Sequence, residues 1–255
     1  MKKETNLHQE MNRTASINVE NLSFSYPNGQ KAVIDISFQA AQNDSIGLAG
    51  ANGAGKSTLL KLLAGLYLNY SGIIQINERS VVTKNLPDIR KQIGYIFQDS
   101  DNQLFMSTAY EDVAFAPRNY GLSEEEVHIR TKEALNQVHG MHLKDRRIYQ
   151  MSGGEKKLIS IATVLSMRPE ILLMDEPSAA LDPKNRRNLI SLLNGFSQIK
   201  LIASHDLDFL LDTCNRVILM DQGQIICDSS AQYILTNESL LEAHKLELPL
   251  SLYRK

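Results

Sequence analysis

The chain has 255 residues, 43% of them apolar and 22% charged, enough for one large domain or a core with a smaller lobe and unlike a disordered or collagen-like chain. With 27 Lys+Arg against 29 Asp+Glu and a formal net charge of −2, it lacks the basic footprint of a protein held by nucleic-acid phosphates, so no nucleic-acid partner is expected. Its two cysteines, Cys214 and Cys227, cannot build a disulfide framework, and a reduced, cytosolic compartment is the default.

Residues 1–16 (MKKETNLHQEMNRTAS) lack an apolar h-region and read as a polar leader, not a secretory signal. Residues 17–26 and 33–38 alternate apolar and polar positions, which predicts half-exposed antiparallel strands. The near-continuous apolar runs 45–49, 171–174, 200–203 and 217–220 predict buried strands of a mainly parallel sheet. No stretch can span a bilayer: the most apolar, 58–68, is interrupted by Lys61 and falls short of the roughly 20 residues required.

Directly after the strand at 45–49 stands Gly50-Ala51-Asn52-Gly53-Ala54-Gly55-Lys56-Ser57-Thr58, a full G-x-x-x-x-G-K-S/T. Glycines let the backbone turn its N–H groups toward phosphate oxygens, and the following helix adds its N-terminal partial charge. Lys56 is expected to reach the β- and γ-phosphates and Ser57 to ligate Mg²⁺. The helix that follows places Leu59, Leu62, Leu63 and Leu66 on one face. A strand at 93–97 is followed by a helix-rich insertion at about 99–150. Within it, Ser123 and Glu126 predict a capping box opening a helix faced by Val127, Ala134, Leu135 and Val138. His139 and His142 read as a polar helix end, with no carboxylate or cysteine at useful spacing to complete a metal site.

Ser152-Gly153-Gly154-Glu155 heads an amphipathic helix carrying Leu158, Ile161, Ala162 and Leu165. The strand at 171–174 ends in Asp175 and Glu176. Carboxylates at the C-terminal end of a parallel strand lie where open α/β sheets bind ligands. Asp175 would hold Mg²⁺ through water, and Glu176 would orient or deprotonate the attacking water. Together these elements predict an α/β fold: a P-loop NTPase core with an antiparallel β subdomain, an inserted α-helical lobe, and a short helical tail after residue 229.

Five motifs in this order (the phosphate loop, Ser152–Glu155, Asp175-Glu176, Ser178-Ala-Ala-Leu-Asp182 and Ser204-His205-Asp206) resemble the ABC-transporter ATPase family over residues 17–229. The resemblance implies that Tyr26 stacks on the adenine of ATP and that Gln98 contacts Mg²⁺ and the attacking water. It further implies that Ser152, Gly153, Gly154 and Glu155 bind the γ-phosphate of ATP held by a second ATPase subunit, beside Asp182, and that His205 meets the γ-phosphate. Taken singly, Tyr26 could equally be a strand aromatic and His205 a strand-end residue. Only 96 positions separate Lys56 from Ser152, too few for the coiled coil of the chromosome-maintenance relatives. Excision-repair relatives carry zinc cysteines and translation-factor relatives carry two ATPase domains, so the transporter class is left.

Residues 95–105 (YIFQDSDNQLF) and 110–115 look like energy-coupling-factor ATPases, and residues 240–250 are similar to the tail of their cobalt/nickel branch. Such a subunit would sit peripherally on the cytoplasmic face of the plasma membrane. It would meet integral membrane subunits through the helical lobe, with Leu104 and Phe105 either in the docking groove or serving simple lobe packing, and pair with a copy or a paralogue. A soluble non-transport ABC switch, and the ATPase of a binding-protein-fed or vitamin importer, stand as alternatives.

Overall fold

The computed structural model describes residues 15–179 and 181–253. In chain order it runs β1 (Ser16–Ser25), β2 (Lys31–Ala41), β3 (Ser45–Ala49), α1 (Lys56–Leu63), β4 (Ser71–Ile76), β5 (Arg79–Ser80), α2 (Leu86–Gln92) and β6 (Ile93–Ile96). There follow α3 (Ala109–Asn119), α4 (Glu124–Gln137), α5 (Gly153–Leu165), β7 (Ile171–Asp175), α6 (Pro183–Asn194), β8 (Ile199–Ala203) and α7 (Leu207–Thr213). The C-terminal part holds β9 (Arg216–Asp221), β10 (Gln224–Ser230), α8 (Ala231–Leu235) and α9 (Glu238–Ala243).

Two sheets form. The first is antiparallel in the order β2-β1-β4-β5; the second, in the order β10-β9-β3-β8-β7-β6, is parallel apart from its β10 edge. Strands buried on both faces alternate between two cores. Ile171, Leu173, Leu201 and Ala203 face the core that holds α1 and the antiparallel sheet. Leu172, Met174 and Ile202 face the core that holds α5, α6 and α7. That period of two explains why these runs are apolar throughout.

Register fixes the ends of the strands. Leu48 pairs with Ala203, Asp175 with Ala203 and Ile96 with Met174. The C-terminal ends of β3, β6, β7 and β8 therefore lie level along one edge, and the segments beginning at Gly50, Phe97, Glu176 and Ser204 all leave from it.

Several expectations need correction. Most of the leader lies outside the described residues, but Ala15 is buried and Ser16 already belongs to β1. Helix α1 ends at Leu63, and Gly65 at φ 65 turns the chain away, so Leu66 is exposed and not on the apolar face. Ser123 accepts from the Glu126 N–H, but α4 shows only this half of the capping box; the reciprocal box appears at Thr108 and Glu111, opening α3. Leu158 is half-buried, while Ile159, Ile161, Ala162 and Leu165 are buried. β10 reaches Ser230, and the segment after it packs Ile234, Leu235 and Leu241 into the second core.

Strand β6 passes α5 so closely that a Cβ on Gly94 would overlap Val164 Cγ1 and crowd Leu172 and Pro169 at 3.1 Å. Gly94→Ala should therefore destabilise the chain by about 1–3 kcal/mol, the range for overpacking a filled interior, and Val164→Ala in the same chain should recover part of the loss. Urea midpoints of the two variants test this. An unchanged midpoint in Gly94→Ala would contradict the close approach.

Candidate functional site

The segments leaving the level strand ends enclose a cavity of about 540 Å³ lined by Tyr26, residues 30–32 and 52–58, Gln98, Glu176 and His205. Gly55 sits at φ 101, and a Cβ there would overlap the Ala32 carbonyl, so the loop can fold this way only with glycine. Lys56 is buried, its Nζ donating to the carbonyls of Gly50 at 2.6 Å and Ala51 at 3.1 Å. Burial pushes its ammonium pKa down, while the Glu176 and Asp175 carboxylates pull it back up.

Ser57 Oγ donates to Asp175 Oδ1 at 2.7 Å, bringing together two hard oxygen donors of the kind Mg²⁺ prefers. Gln98 adds a neutral oxygen to the cavity wall. Tyr95, whose hydroxyl lies 3.4 Å from Asp175 Oδ2, has its phenol pKa pushed up, first by burial and then by that carboxylate.

Glu176, at φ 46, is held from several sides. Its Oε2 accepts from Ser204 Oγ at 3.1 Å and lies 2.8 Å from His205 Nδ1. Its Oε1 accepts from the His205 N–H at 3.0 Å. Asp206 takes two hydrogen bonds from Arg186, at 2.8 and 3.1 Å, and its own N–H donates to Ser204 Oγ at 3.1 Å. Tyr26 packs edge-on against Phe24 and Tyr67, with its hydroxyl 2.8 Å from Thr58 Oγ1.

Ser152, Gly153, Gly154, Glu155 and Asp182 are not in this cavity. Ser152 and Glu155 close a reciprocal capping box at the start of α5, and Arg146 Nη1 lies 2.6 Å from Glu155 Oε1. Asp182 caps α6, taking the N–H groups of Lys184 and Asn185 and the Asn185 carboxamide. A Cβ on Gly154 would overlap that carboxamide, so the two helix starts are packed together. Ser152, Glu155 and Asp182 line a second cavity of about 570 Å³ with His139 and His142, sharing no residue with the first.

Sequence reasoning missed Lys31 and Lys157, and gave Tyr95 and Ser204 no role of their own although both stand within its motifs. Lys157 is buried and donates to the carbonyls of Phe97 at 2.9 Å and Gln98 at 2.7 Å. Burial lowers its pKa to about 8 against the pull of Asp99 and Asp175. A lysine three residues after Gly154 and four before Ile161, on the buried stripe of α5, was the available signal.

The family model described as ABC transporter matches residues 33–179. A putative ABC transporter ATP-binding protein of Geobacter sulfurreducens is 44% identical over 92% of this chain and 95% of its own. The energy-coupling factor transporter ATP-binding protein EcfA of Carboxydothermus hydrogenoformans is 39% identical over 92% and 88%. The cobalt import ATP-binding protein CbiO of Rhodobacter capsulatus is 37% identical over 93% and 86%. Among solved structures, CbiO1 of Clostridium perfringens, described as part of the ABC transporter complex cbiONQ, superposes with a TM-score of 0.80 at 33% identity, over 89% of this chain and 93% of that one.

Proposed function

The chain belongs to the ABC transporter family, whose ATP-binding subunits hydrolyse ATP in step with transport, and from that membership we propose that it powers an energy-coupling-factor importer of cobalt or nickel ions. The observation that carries the mechanism is the division of its site residues between two faces. The phosphate-loop cavity holds one set and the start of α5 the other, with no residue in common. Two such subunits facing head to tail would each complete the other's site, whether the partner is a second copy or a paralogue.

In this reading the phosphate-loop N–H groups and Lys56 bind the β- and γ-phosphates, Lys56 exchanging its loop carbonyls for phosphate oxygens. Ser57 and Gln98 would hold Mg²⁺ directly and Asp175 through water; when bound, the ion neutralises phosphate charge. Glu176, fixed by Ser204 and His205, takes the proton of the attacking water, and His205 faces the γ-phosphate. The partner's Ser152-to-Glu155 turn closes over that phosphate from the other side, with Asp182 beside it. Tyr26, which lines the cavity, would stack on the adenine. Catalysis is then positioning and electrostatics, as phosphoryl transfer requires.

Among the described residues no helix is long and apolar enough to cross a membrane, so contact with the bilayer would run through membrane subunits docked on the lobe. Phe105 is 66% exposed and packs edge-on against Phe115 at 4.8 Å, an apolar surface suited to that docking. The likeness to EcfA and CbiO supports the importer type and the cargo.

Three measurements test this reading. Glu176→Gln should keep ATP binding and slow hydrolysis by about 10²–10⁴-fold, the usual worth of a positioned acid/base group; near-normal turnover would remove Glu176 from the chemistry. Ser152→Arg should leave ATP affinity at low protein concentration intact while abolishing turnover, and a parallel fall in both would overturn the head-to-tail arrangement. Phe105→Asp should abolish labelled cobalt and nickel uptake in cells expressing the whole gene cluster while the isolated subunit still hydrolyses ATP, because a charge in an apolar docking surface costs desolvation. Loss of vitamin uptake instead of metal uptake on deleting the gene would overturn the cargo.

A further inference from the structure

The segment from Phe97 to Gln103 carries Gln98 into the phosphate-loop cavity, and it is fastened along its length to one helix, α5. Lys157 Nζ donates to the carbonyls of Phe97 and Gln98. Lys156 Nζ lies 2.6 Å from Asp101 Oδ1. Gln103 donates to the Ser160 carbonyl at 2.6 Å and to Thr163 Oγ1 at 2.9 Å, while accepting from the Phe97 N–H at 3.2 Å. Of these groups Lys157 alone grips the backbone of Gln98 itself, and its side chain is almost fully buried.

An ammonium buried against two backbone carbonyls, with Asp99 and Asp175 acting on it without forming an ion pair among the described residues, is a poor stabilising device, because desolvation of the charge offsets most of the attraction. Its value lies in geometry. A cation with directed donors fixes where two successive carbonyls sit, and so where the Gln98 side chain enters the cavity. The same helix begins at the Ser152-to-Glu155 turn, one helical turn from Lys157.

Resting on the reading that Gln98 serves hydrolysis, we propose that Lys157 is a positioning residue of the hydrolytic site, holding Gln98 in register with α5.

The test is a double-mutant cycle in the full chain, with steady-state ATPase rates, ATP affinity and melting temperature measured for Lys157→Met, Gln98→Ala and the pair. Lys157→Met is expected to lower kcat by about 10- to 100-fold, the scale of a displaced catalytic group, with ATP affinity close to that of the native chain. In the Gln98→Ala background it should cost nothing further, because both act through one side chain. An equal loss in both backgrounds would make Lys157 merely structural, and native kcat in Lys157→Met would overturn the proposal outright. Full activity in Gln98→Ala would instead overturn the reading of Gln98, and the role of Lys157 with it. Should Lys157→Met fail to fold, Lys157→Gln, whose shorter neutral amide keeps part of the donation, carries the same cycle with a smaller loss of kcat that again vanishes in the Gln98→Ala background.

Discussion

The parallel register of β3, β8, β7 and β6 is the constraint on which everything else in the structure depends. Side chains alternate along each strand, so the pairing of Asp175 with Ala203 also decides which core Asp175 faces. Leu173 and Ala203 belong to the core on the α1 side, and Asp175, two residues after Leu173, points the same way and meets Ser57 on α1. A slip of one residue in β7 would turn the carboxylate toward α5 and bring Met174 to the loop. Register is thus set by burial of Leu172, Leu173 and Met174, and the chemistry inherits its geometry from apolar packing.

Three residues of the sequence motifs also begin helices. Ser152 caps α5, Asp182 caps α6 and Asp206 caps α7, each accepting backbone N–H groups of the first turn. The overlap has a physical basis. A helix start offers free N–H groups and a partial positive charge, which a polar side chain satisfies internally and which an anion meets externally. Arg186 of α6 then ties the Asp206 cap to the Asp182 helix through its two hydrogen bonds, lying over the Phe209 ring at 5.6 Å. Removing any one cap costs about 1 kcal/mol of stability in addition to any chemistry.

Much of this was legible because two-sided burial writes itself into sequence as unbroken apolar runs, and because the phosphate loop needs its glycines and Lys56 in a fixed spacing. Strands β4 and β5 were not legible: β4 opens on three exposed residues and so lacks an unbroken apolar run, and β5 is only two residues at the sheet edge. β10 alternates exposed and half-buried positions with no apolar signature. Leu66 misled because its spacing fits a helix that Gly65 ends. Lys157 was missed because a buried lysine is explained only by the carbonyls it meets, and these lie some 60 positions away. The separation of Ser152 and Asp182 from the phosphate loop was legible only through family resemblance, since no local pattern says which subunit a residue serves.

Charge favours the proposed head-to-tail pairing. In the cavity Lys31 and Lys56 are balanced by Glu176 and the adjoining Asp175, so its formal charge is close to zero before any nucleotide enters. A triphosphate brings several negative charges into a partly desolvated space, where uncompensated charge is costly. The phosphate-loop N–H groups and the α1 N-terminus supply part of the compensation. On the proposed head-to-tail reading the remainder would come from a bound cation and from the α5 turn of the facing subunit. In that pairing Gly153, with no atom within 4 Å of a would-be Cβ, would leave a phosphate room to approach the start of α5, where Arg146 offsets the Glu155 carboxylate of the capping box. On that reading, such a subunit would bind nucleotide alone and complete its site against another such face.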